Sequence, residues 1–358
     1  MQKKALIAMS GGVDSSVAAY LMKSQGYDCT GITMQLFQKE ASASQSCGSA
    51  KDAEDARRIA DSLSMPFQVL DFSDRFAEHV ICPFITAYEN GMTPNPCIDC
   101  NRNLKFGKLY QRARELGCDC IATGHYARIE QDPKTGRCLL KKALDPAKDQ
   151  SYVLYILTQE QLKHTCFPLG GMTKAETRSI AEAQGFQNAG KHDSQDICFV
   201  PDGDYAGFIE AYTKKTASEG DFIDRNGKKL GTHRGIIHYT IGQRRGLALA
   251  FSERMYVTAI DPIRNTVTLG PSEALFRKEL TARHINLISL PRIEGALRLT
   301  AKIRYRQMEQ WATVTQPEED TLRVVFDEPQ RAITGGQSLV LYDGDVVVGG
   351  GIIETPRS

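Results

Sequence analysis

The sequence predicts an α/β protein, in which a doubly wound parallel sheet is followed by a small α+β domain and a C-terminal β-barrel. Apolar runs of strand length alternate with helical patterns over the first ~130 residues, which indicates a parallel sheet covered by helices. From about residue 254, short alternating strands are separated by turn residues, as in a small barrel. The 358 residues exceed one ordinary core. We therefore expect domains at residues 1–202, 203–253 and 254–358.

Composition and charge exclude several classes of protein. Hydrophobic residues make up 41% of the chain and charged residues 24%, and no apolar run approaches the length of a membrane span. The N-terminal residues lead straight into the first predicted strand, so we expect no signal peptide, no membrane association and a cytoplasmic location. The net charge is only +1, but residues 225–246 carry six basic residues and no acidic one. Such a stretch indicates either a bound polyanion or a solvated surface.

The first functional motif is the stretch SGGVDSS at residues 10–16. It joins an apolar strand pattern, Ala5–Met9, to a helical pattern that begins at Val17. Glycines allow a backbone of positive φ close to a ligand, and the first amides of a helix attract anions, so the stretch predicts a phosphate site. It lacks the lysine of the Walker motif, which excludes a kinase-type loop. The alternative is a glycine turn in which Asp14 and Ser15 only cap the helix.

The second motif is TPNPCIDCN at residues 93–101, in which two prolines precede a C-x-x-C pair. A thiol just ahead of the helix predicted from Leu104 would be acidified by the helix N-terminus. Structural zinc is one alternative, but the pair supplies only two ligands, and the spacing of Cys118 and Cys120 is wrong for a second pair. A thioredoxin-like redox pair would fit the spacing but not the phosphate loop.

Three further segments carry candidate binding residues. Gly124 and His125 close the fourth strand, where the glycine would allow close approach of a nucleotide and the histidine would stand at the mouth of the site. Lys148–Tyr152 opens a helical run, in which Asp149 could simply be a cap. In the barrel, Arg304–Arg306 combines phosphate-pairing charge with a ring for base stacking.

The order of these motifs resembles that of one known family, the bacterial tRNA-uridine 2-sulfurtransferases or 2-thiouridylases, which belong to the ATP-pyrophosphatase (PP-loop) superfamily. The matching motifs are SGGVDSS, the N-P-x-x-x-C-N block, ATGHYAR, KDQSYVL, DICFV, HYTIGQRRGL and RYRQ, and they cover nearly the whole chain. The resemblance implies ATP-dependent 2-thiolation of the wobble uridine of tRNA, with ATP and Mg²⁺ at the loop and sulfur from a cysteine persulfide. It also implies two partners, the anticodon stem-loop of a tRNA and a persulfide sulfur donor protein.

The resemblance implies roles for individual residues as well. Cys100 and Cys198 take the positions of the two catalytic cysteines, and Cys198 would carry the persulfide. The positions that would bind ATP are Ala8, Met9, Ser10, Gly11, Gly12, Val13, Asp14, Ser15, Met34 and Gly124. The positions that would contact tRNA are Asn95, Pro96, Cys97, His125, Lys148, Asp149, Gln150, Arg304, Tyr305 and Gln337.

Departures from the family pattern leave the sulfur chemistry open. Many members carry Asp where this chain has Cys97, and many carry Pro where it has Gly335. The three thiols of Cys97, Cys100 and Cys198 could instead hold an iron–sulfur cluster, although we expect a persulfide because the resemblance assigns sulfur roles to two positions only. Two other functions are alternatives. An amide-forming synthetase would explain the loop, and a non-catalytic RNA-binding protein that senses ATP would explain the barrel.

Overall fold

The structure, a computed structural model, describes residues 2–37, 50–191 and 197–355. A parallel sheet forms its first domain; numbered along the whole chain, the strands are β1 (Lys4–Ala8), β2 (Asp28–Gln35), β3 (Phe67–Asp71), β4 (Cys120–Ala122) and β7 (Thr165–Cys166). Their order is β3-β2-β1-β4-β7. Leu6 and Ile7 of the central strand are fully buried in separate cores on the two faces of the sheet. The predicted doubly wound parallel sheet is therefore confirmed.

Helices cover both faces of this sheet. They are α1 (Val13–Ser24), α2 (Ala50–Ser62), α3 (Ser73–Phe76), α4 (Cys82–Glu89), α5 (Pro96–Asp99), α6 (Tyr110–Glu115), α7 (Ser151–Leu154), α8 (Gln159–Lys163), α9 (Lys174–Ala183) and, in the next domain, α10 (Tyr205–Thr213). Two π-helical segments, Ala77–Ile81 and Cys100–Leu109, join α3 to α4 and α5 to α6. The sequence predicted that the helix that includes α5 and α6 begins at Leu104, but in the structure it begins at Pro96. A proline is tolerated in the first turn because its missing N–H would make no intrahelical hydrogen bond there.

The middle domain is a four-stranded sheet with α10. Its strands are β8 (Gly220–Ile223), β9 (Lys229–His233), β10 (Tyr256–Asp261) and β11 (Thr266–Gly270), in the order β10-β11-β8-β9. The sequence prediction assigned the strands now labelled β10 and β11 to the barrel, and this was wrong, because β11 pairs in parallel with β8. The sequence pattern correctly predicted that β10 and β11 are strands. The strand that pairs with them, β8, depends on tertiary packing and could not be read from that pattern.

The C-terminal domain is the predicted β-barrel. Its strands are β12 (Phe276–Leu287), β13 (Ala296–Lys302), β14 (Gln310–Glu318), β15 (Thr321–Arg331), β16 (Ser338–Asp343) and β17 (Val346–Ile353). They follow the order β12-β15-β14-β13-β16-β17, and β17 pairs back with β12, which closes the barrel. Buried Val, Leu and Phe side chains fill its interior.

The first domain and the barrel share a sheet and a core. A hairpin of the first domain, β5 (Arg128–Gln131) and β6 (Cys138–Lys141), adds to the start of β17, where Lys141 pairs with Val346. Arg128 donates a 2.8 Å hydrogen bond to Asp345 in the turn before that strand. Beside the hairpin, the buried Tyr152 hydroxyl donates to the carbonyl of Ser338 at 2.7 Å. These contacts fix the barrel relative to the first domain.

The first and middle domains share a second core. Phe84 of α4, Phe199 of the connecting segment and Phe222 of β8 belong to the same buried cluster, and the rings of Phe84 and Phe199 lie 5.1 Å apart. Among the described residues, no helix has the length and apolar character that a membrane span needs.

Candidate active site

The phosphate loop occupies residues 9–12 between β1 and α1, at the carboxyl edge of the sheet. Gly11 has φ +71°, and a Cβ there would lie 2.3 Å from the backbone oxygen of Asp52, so only glycine fits. The Ser15 hydroxyl accepts a 3.1 Å hydrogen bond from the Ser10 amide and donates one of 3.0 Å to the Gly12 carbonyl. Within the described chain no side chain caps α1, which leaves its first amides directed toward the loop. The loop is thus a rigid anion cradle.

Gly124 lies against this cradle. A Cβ at Gly124 would approach the Ser15 nitrogen to 2.7 Å, so the glycine lets β4 end directly beside the first turn of α1. Met34 near the end of β2 is partly buried at the edge of the same region. A glycine turn, hydroxyls and a neighbouring apolar side chain fit a nucleotide, with its phosphates at the cradle and its base near Met34.

Two lysines that sequence reasoning missed contact the loop. The buried Lys174 places its ammonium 2.7 Å from Asp14 Oδ1, and the Tyr126 hydroxyl donates to the same oxygen at 2.9 Å. Lys191 lies 2.7 Å from Asp52 and 3.4 Å from the Gly11 carbonyl. Neither lysine falls within a loop motif, so only the tertiary fold relates them to the site.

Cys97 lies in the first turn of the helix that begins at Pro96. Its side chain keeps an exposed surface, although protein atoms surround it closely. Desolvation raises the pKa of the Cys97 thiol, and the nearby Lys105 opposes that rise only in part. The expectation of an acidified thiol is therefore not met at Cys97, because desolvation outweighs the nearby positive charge.

The two predicted catalytic cysteines adjoin one core. Cys100 lies one turn along the same helix, and Cys198 lies in an irregular segment. Both pack against the buried cluster that contains Leu104 and Phe199. The part of the DICFV motif at residue 196 lies outside the described residues. Among those described, no group of three or more Cys, His, Asp or Glu side chains has the arrangement of a metal site.

Asp99 is a further titratable group in this helix that the sequence did not single out. Desolvation raises its pKa to about 6, and the positive charge of Arg102 only partly opposes this. The carboxyl group therefore titrates near pH 6, and it lies in the same helix as Cys97 and Cys100.

The barrel contacts the segment that leads into the cysteine motif. Gln337 Nε2 donates to the carbonyl oxygens of Thr93 at 2.8 Å and Pro94 at 3.4 Å. The Thr93 amide in turn donates to the Gly335 carbonyl at 3.0 Å. The sequence predicted Gln337 as a tRNA contact, which stays a prediction, and in the structure its amide nitrogen positions the segment that leads into Asn95 and Pro96.

Tyr305 of the barrel also lies near the cysteine motif, where it contacts the segment that contains Asp149. Its hydroxyl donates to the Asp149 carbonyl at 3.2 Å, and its ring lies 5.8 Å from that of Tyr152. Burial raises the pKa of Tyr305, with smaller contributions from the charges of Asp149 and Cys97. The predicted base-contacting residues therefore converge from three distant parts of the chain.

The segment Lys148–Gln150 supports this convergence through internal hydrogen bonds. The Asp149 carboxylate accepts from the Ser151 amide at 3.2 Å and the Ala143 amide at 3.0 Å, one position ahead of Gln150, the N-cap residue of α7. Gln150 Oε1 accepts from the Tyr126 amide at 3.0 Å. The residues form a rigid turn beside Tyr305.

His125 was expected at the mouth of the site, and this placement was wrong. The side chain is buried between the rings of Phe106 and Phe167, each 5.9 Å away, and Nδ1 lies 2.7 Å from the Thr123 hydroxyl. Desolvation lowers the pKa of His125 well below its ordinary value, so the imidazole is neutral at pH 7. It is a core residue beneath the site.

An open groove of about 500 Å³ lies on the barrel beside Tyr305, and it is lined in part by Arg304, Arg306 and Arg331. The Arg304 guanidinium donates to the Ala332 carbonyl at 3.1 Å, and burial lowers its pKa, helped by the charge of Arg331. A Cβ on Gly242 of the middle domain would lie 3.0 Å from Ala332, so the HYTIGQRRGL turn adjoins the groove. Its Arg244 and Arg245 are exposed.

These features define a class of protein: a nucleotide-binding α/β domain with two β-rich domains, one of which holds the cysteine motif. A family model described as "tRNA methyl transferase HUP domain" matches residues 3–202. Models described as "tRNA methyl transferase PRC-barrel domain" and "Aminomethyltransferase beta-barrel domain" match residues 206–271 and 277–353. The range 206–271 includes β10 and β11, in agreement with their place in the sheet of the middle domain.

Full-length relatives are similar throughout. The chain is 54% identical to a "tRNA-specific 2-thiouridylase MnmA" of Clostridioides difficile over 99% of both chains. It is 50% identical to "tRNA-specific 2-thiouridylase MnmA 2" of Thermoanaerobacter sp. over 99% of this chain and 98% of that one. It is 48% identical to the "tRNA-specific 2-thiouridylase MnmA" of Clostridium acetobutylicum, over 99% of this chain and 100% of that one. The chain belongs to the tRNA-specific 2-thiouridylase family, as the motifs predicted.

Proposed function

We propose that the protein catalyses ATP-dependent 2-thiolation of the wobble uridine of tRNA. The observation that carries this proposal is the arrangement of its three parts: a phosphate cradle, two cysteines beside one core, and a base-contacting segment held by the barrel. An amide-forming synthetase would need the cradle but not the cysteines. An ATP-sensing RNA-binding protein would have no use for Cys198.

The first step is activation of the uridine. The cradle binds the β- and γ-phosphates of ATP through the amides at the start of α1 and the hydroxyls of Ser10 and Ser15. The uridine O2 attacks the α-phosphate, pyrophosphate leaves, and a poor leaving group at C2 becomes AMP. Mg²⁺, held by Asp14 and the phosphates, would neutralise charge on the leaving pyrophosphate. Asn95, Pro96, Cys97 and Tyr305 line the place where the base would lie.

The second step is sulfur transfer. A partner protein first delivers a persulfide sulfur to Cys198. The terminal sulfur of this persulfide attacks C2 of the adenylated uridine, and AMP leaves. The Cys100 thiolate then attacks the sulfur of Cys198, which breaks the persulfide bond and leaves the terminal sulfur on the base. The Cys100–Cys198 disulfide that results needs two electrons from a thiol reductant before the next turnover.

Pyrophosphate release tests the proposal against its rivals. We expect release that requires a tRNA with a wobble uridine, together with 2-thiouridine once a persulfide donor is added. Release that requires a small amine or acid instead would indicate a synthetase, and no release would indicate a sensor. Cys198→Ala and Cys100→Ala should each retain release within about threefold while losing thiolation by on the order of 10³-fold, because they act after adenylation.

The iron–sulfur alternative is separable by a substitution at Cys97. With a persulfide, Cys97→Asp restores the commoner family residue and retains thiolation. With a cluster on Cys97, Cys100 and Cys198, protein purified without oxygen carries stoichiometric iron, and Cys97→Ser loses both iron and activity. Iron and sulfide analysis of both variants beside wild type distinguishes the two chemistries, and iron tied to activity would overturn the persulfide step.

A further inference from the structure

The phosphate loop carries a negative charge that a polyphosphate must meet. Residues 9–16 contain one ionisable side chain, Asp14, and no cation. Asp14 lies in the first turn of α1, at the end of the helix where the phosphates would bind. Like charges at such short range repel strongly in a partly buried site. A cation that another part of the fold brings to the loop would reduce this repulsion, in addition to the Mg²⁺ expected with ATP.

Lys174 brings that cation from 160 positions further along the chain. Its ammonium lies 2.7 Å from Asp14 Oδ1, and its side chain is 11% exposed whereas that of Asp14 is 30% exposed. The lysine is thus the more buried member of the ion pair. A buried ammonium stays charged when it has an anionic partner, and either a carboxylate or a phosphate can fill that role.

The backbone of Lys174 is fixed, which limits any movement to its side chain. Lys174 is the first residue of α9, and a capping box of Thr173 and Glu176 holds the helix end. The Lys174 amide donates to the carboxylate of Asp145 at 3.1 Å. Four rotatable side-chain bonds then let the ammonium turn toward an incoming phosphate without any change in the fold.

Lys191, the other lysine at the loop, has a different setting. Its ammonium lies 2.7 Å from Asp52 and 3.3 Å from Asp55, and both acids belong to α2. It also reaches the Gly11 carbonyl. Lys191 therefore ties α2 to the back of the loop, whereas Lys174 faces the loop's own acid.

We infer that Lys174 is a phosphate-binding residue of the nucleotide site. Its ammonium pairs with Asp14 in the structure and binds the pyrophosphate portion of ATP when the nucleotide is present. It thereby takes the part that a lysine within the loop takes in Walker-type sites. The inference deepens the proposed function and depends on it only as far as ATP binding.

Equilibrium binding of ATP and of AMP, measured without tRNA, tests the inference. Lys174→Met should weaken ATP binding by about 10- to 100-fold, since hydrogen bonds to charged groups are among the stronger ones. AMP binding should change by less than about twofold, because AMP lacks the two outer phosphates. An equal loss for ATP and AMP would show a structural role only and would overturn the inference.

A double variant separates phosphate binding from simple neutralisation of Asp14. If Lys174 only balances that charge, Asp14→Asn with Lys174→Met should bind ATP as well as Asp14→Asn alone. If Lys174 binds phosphate, the double variant should remain about 10-fold or more weaker than Asp14→Asn alone. The double variant also removes the uncompensated acid, so it remains testable even where Lys174→Met alone folds poorly.

Two more variants complete the experiment. Lys174→Arg keeps the charge and should recover most of the ATP affinity. Lys142→Met breaks a comparably buried ion pair, with Glu309 at the junction with the barrel, and should leave ATP affinity unchanged. Wild-type protein that binds no ATP would overturn the proposed function itself. Wild type that binds ATP no better than Lys174→Met would overturn the inference alone.

Discussion

The hydrogen bonds of the phosphate loop join residues of the first domain: some are local, such as Ser10 to Ser15, and others span 180 positions, such as Lys191 to Gly11. The segments predicted to contact the base are held by bonds between residues 156 and 244 positions apart, from Tyr305 to Asp149 and from Gln337 to Thr93. The first region can form once the first domain has folded. The second exists only when the barrel has docked on the first domain.

This difference implies that the two halves of the proposed reaction depend on different parts of the fold. In the proposed mechanism, nucleotide binding depends on contacts within the first domain, and RNA positioning depends on contacts between that domain and the barrel. Substitutions in the loop should therefore change ATP binding and spare tRNA binding. Substitutions at the barrel contacts should do the reverse.

The largest effect is expected from Gly11→Ala. The new Cβ would lie 2.3 Å from the Asp52 oxygen at a residue with φ +71°, so the loop or α2 must move. We expect ATP affinity to fall by on the order of 100-fold, about 3 kcal/mol, with tRNA affinity within threefold of wild type. Equilibrium binding of each ligand measures the effect. Gly26→Ala is the control, since Gly26 has φ +85° but nothing within 4 Å, and unchanged ATP binding in both variants would contradict the prediction.

A smaller effect, on the use of tRNA and not on ATP binding, is expected from Gln337→Ala. Loss of the bonds to Thr93 and Pro94 loosens the segment before Asn95, so kcat/KM for tRNA should fall about 10- to 30-fold, or about 1.4 to 2 kcal/mol. ATP affinity should not change. Gln316→Ala is the matched control, because it removes two hydrogen bonds within the barrel, from Gln316 Nε2 to the Glu319 carbonyl and from the Ile293 amide to Gln316 Oε1, and neither involves residues 93–101. Equal losses in the two variants would point to barrel stability instead.

The arginine groove should give a still smaller and salt-dependent effect. Replacing Arg306 and Arg331 with Gln removes two charges, so the slope of log affinity for tRNA against log salt should drop by about 1.4 to 1.8 units. Arg298 and Arg323 on the same barrel are paired with Asp327 and Glu279, and their replacement is the control. A slope that changes equally in both double variants would place the RNA elsewhere.

The smallest effect on function is expected from Asp99→Asn, which instead alters stability. Because the pKa of Asp99 is about 6 in the fold against ~3.9 when unfolded, its contribution to stability is full below pH 4 and is lost as pH rises to 6. The variant should be more stable than wild type by about 2 kcal/mol at pH 7.5 and equal to it near pH 4, measured by denaturant unfolding. Asp71→Asn should show the opposite sign, since hydrogen bonds from Ser73 lower the pKa of Asp71.

Local signals in the sequence predicted the local parts of the molecule. The SGGVDSS turn, the parallel sheet and the existence of the barrel follow from patterns within short windows. Three features depend on partners far away in the chain. The pairing of β11 with β8 is one of them, and the burial of His125 between Phe106 and Phe167 is another. The third is the approach of Lys174 to Asp14. No pattern near His125 or Lys174 encodes those neighbours.

The β5–β6 hairpin has a consequence for exchanging domains between relatives. A recombination point placed where the barrel begins, at Phe276, would take β17 and the strand that pairs with its first residue, at Lys141, from different relatives, and likewise Asp345 and its partner Arg128. Side chains that the two domains bury together, such as Tyr342 and Val347, would then pack against residues of another relative, so such a chimera should be less stable than either parent. The smallest unit that can be transplanted is therefore the barrel together with the hairpin, although more than a hundred residues separate them in the sequence.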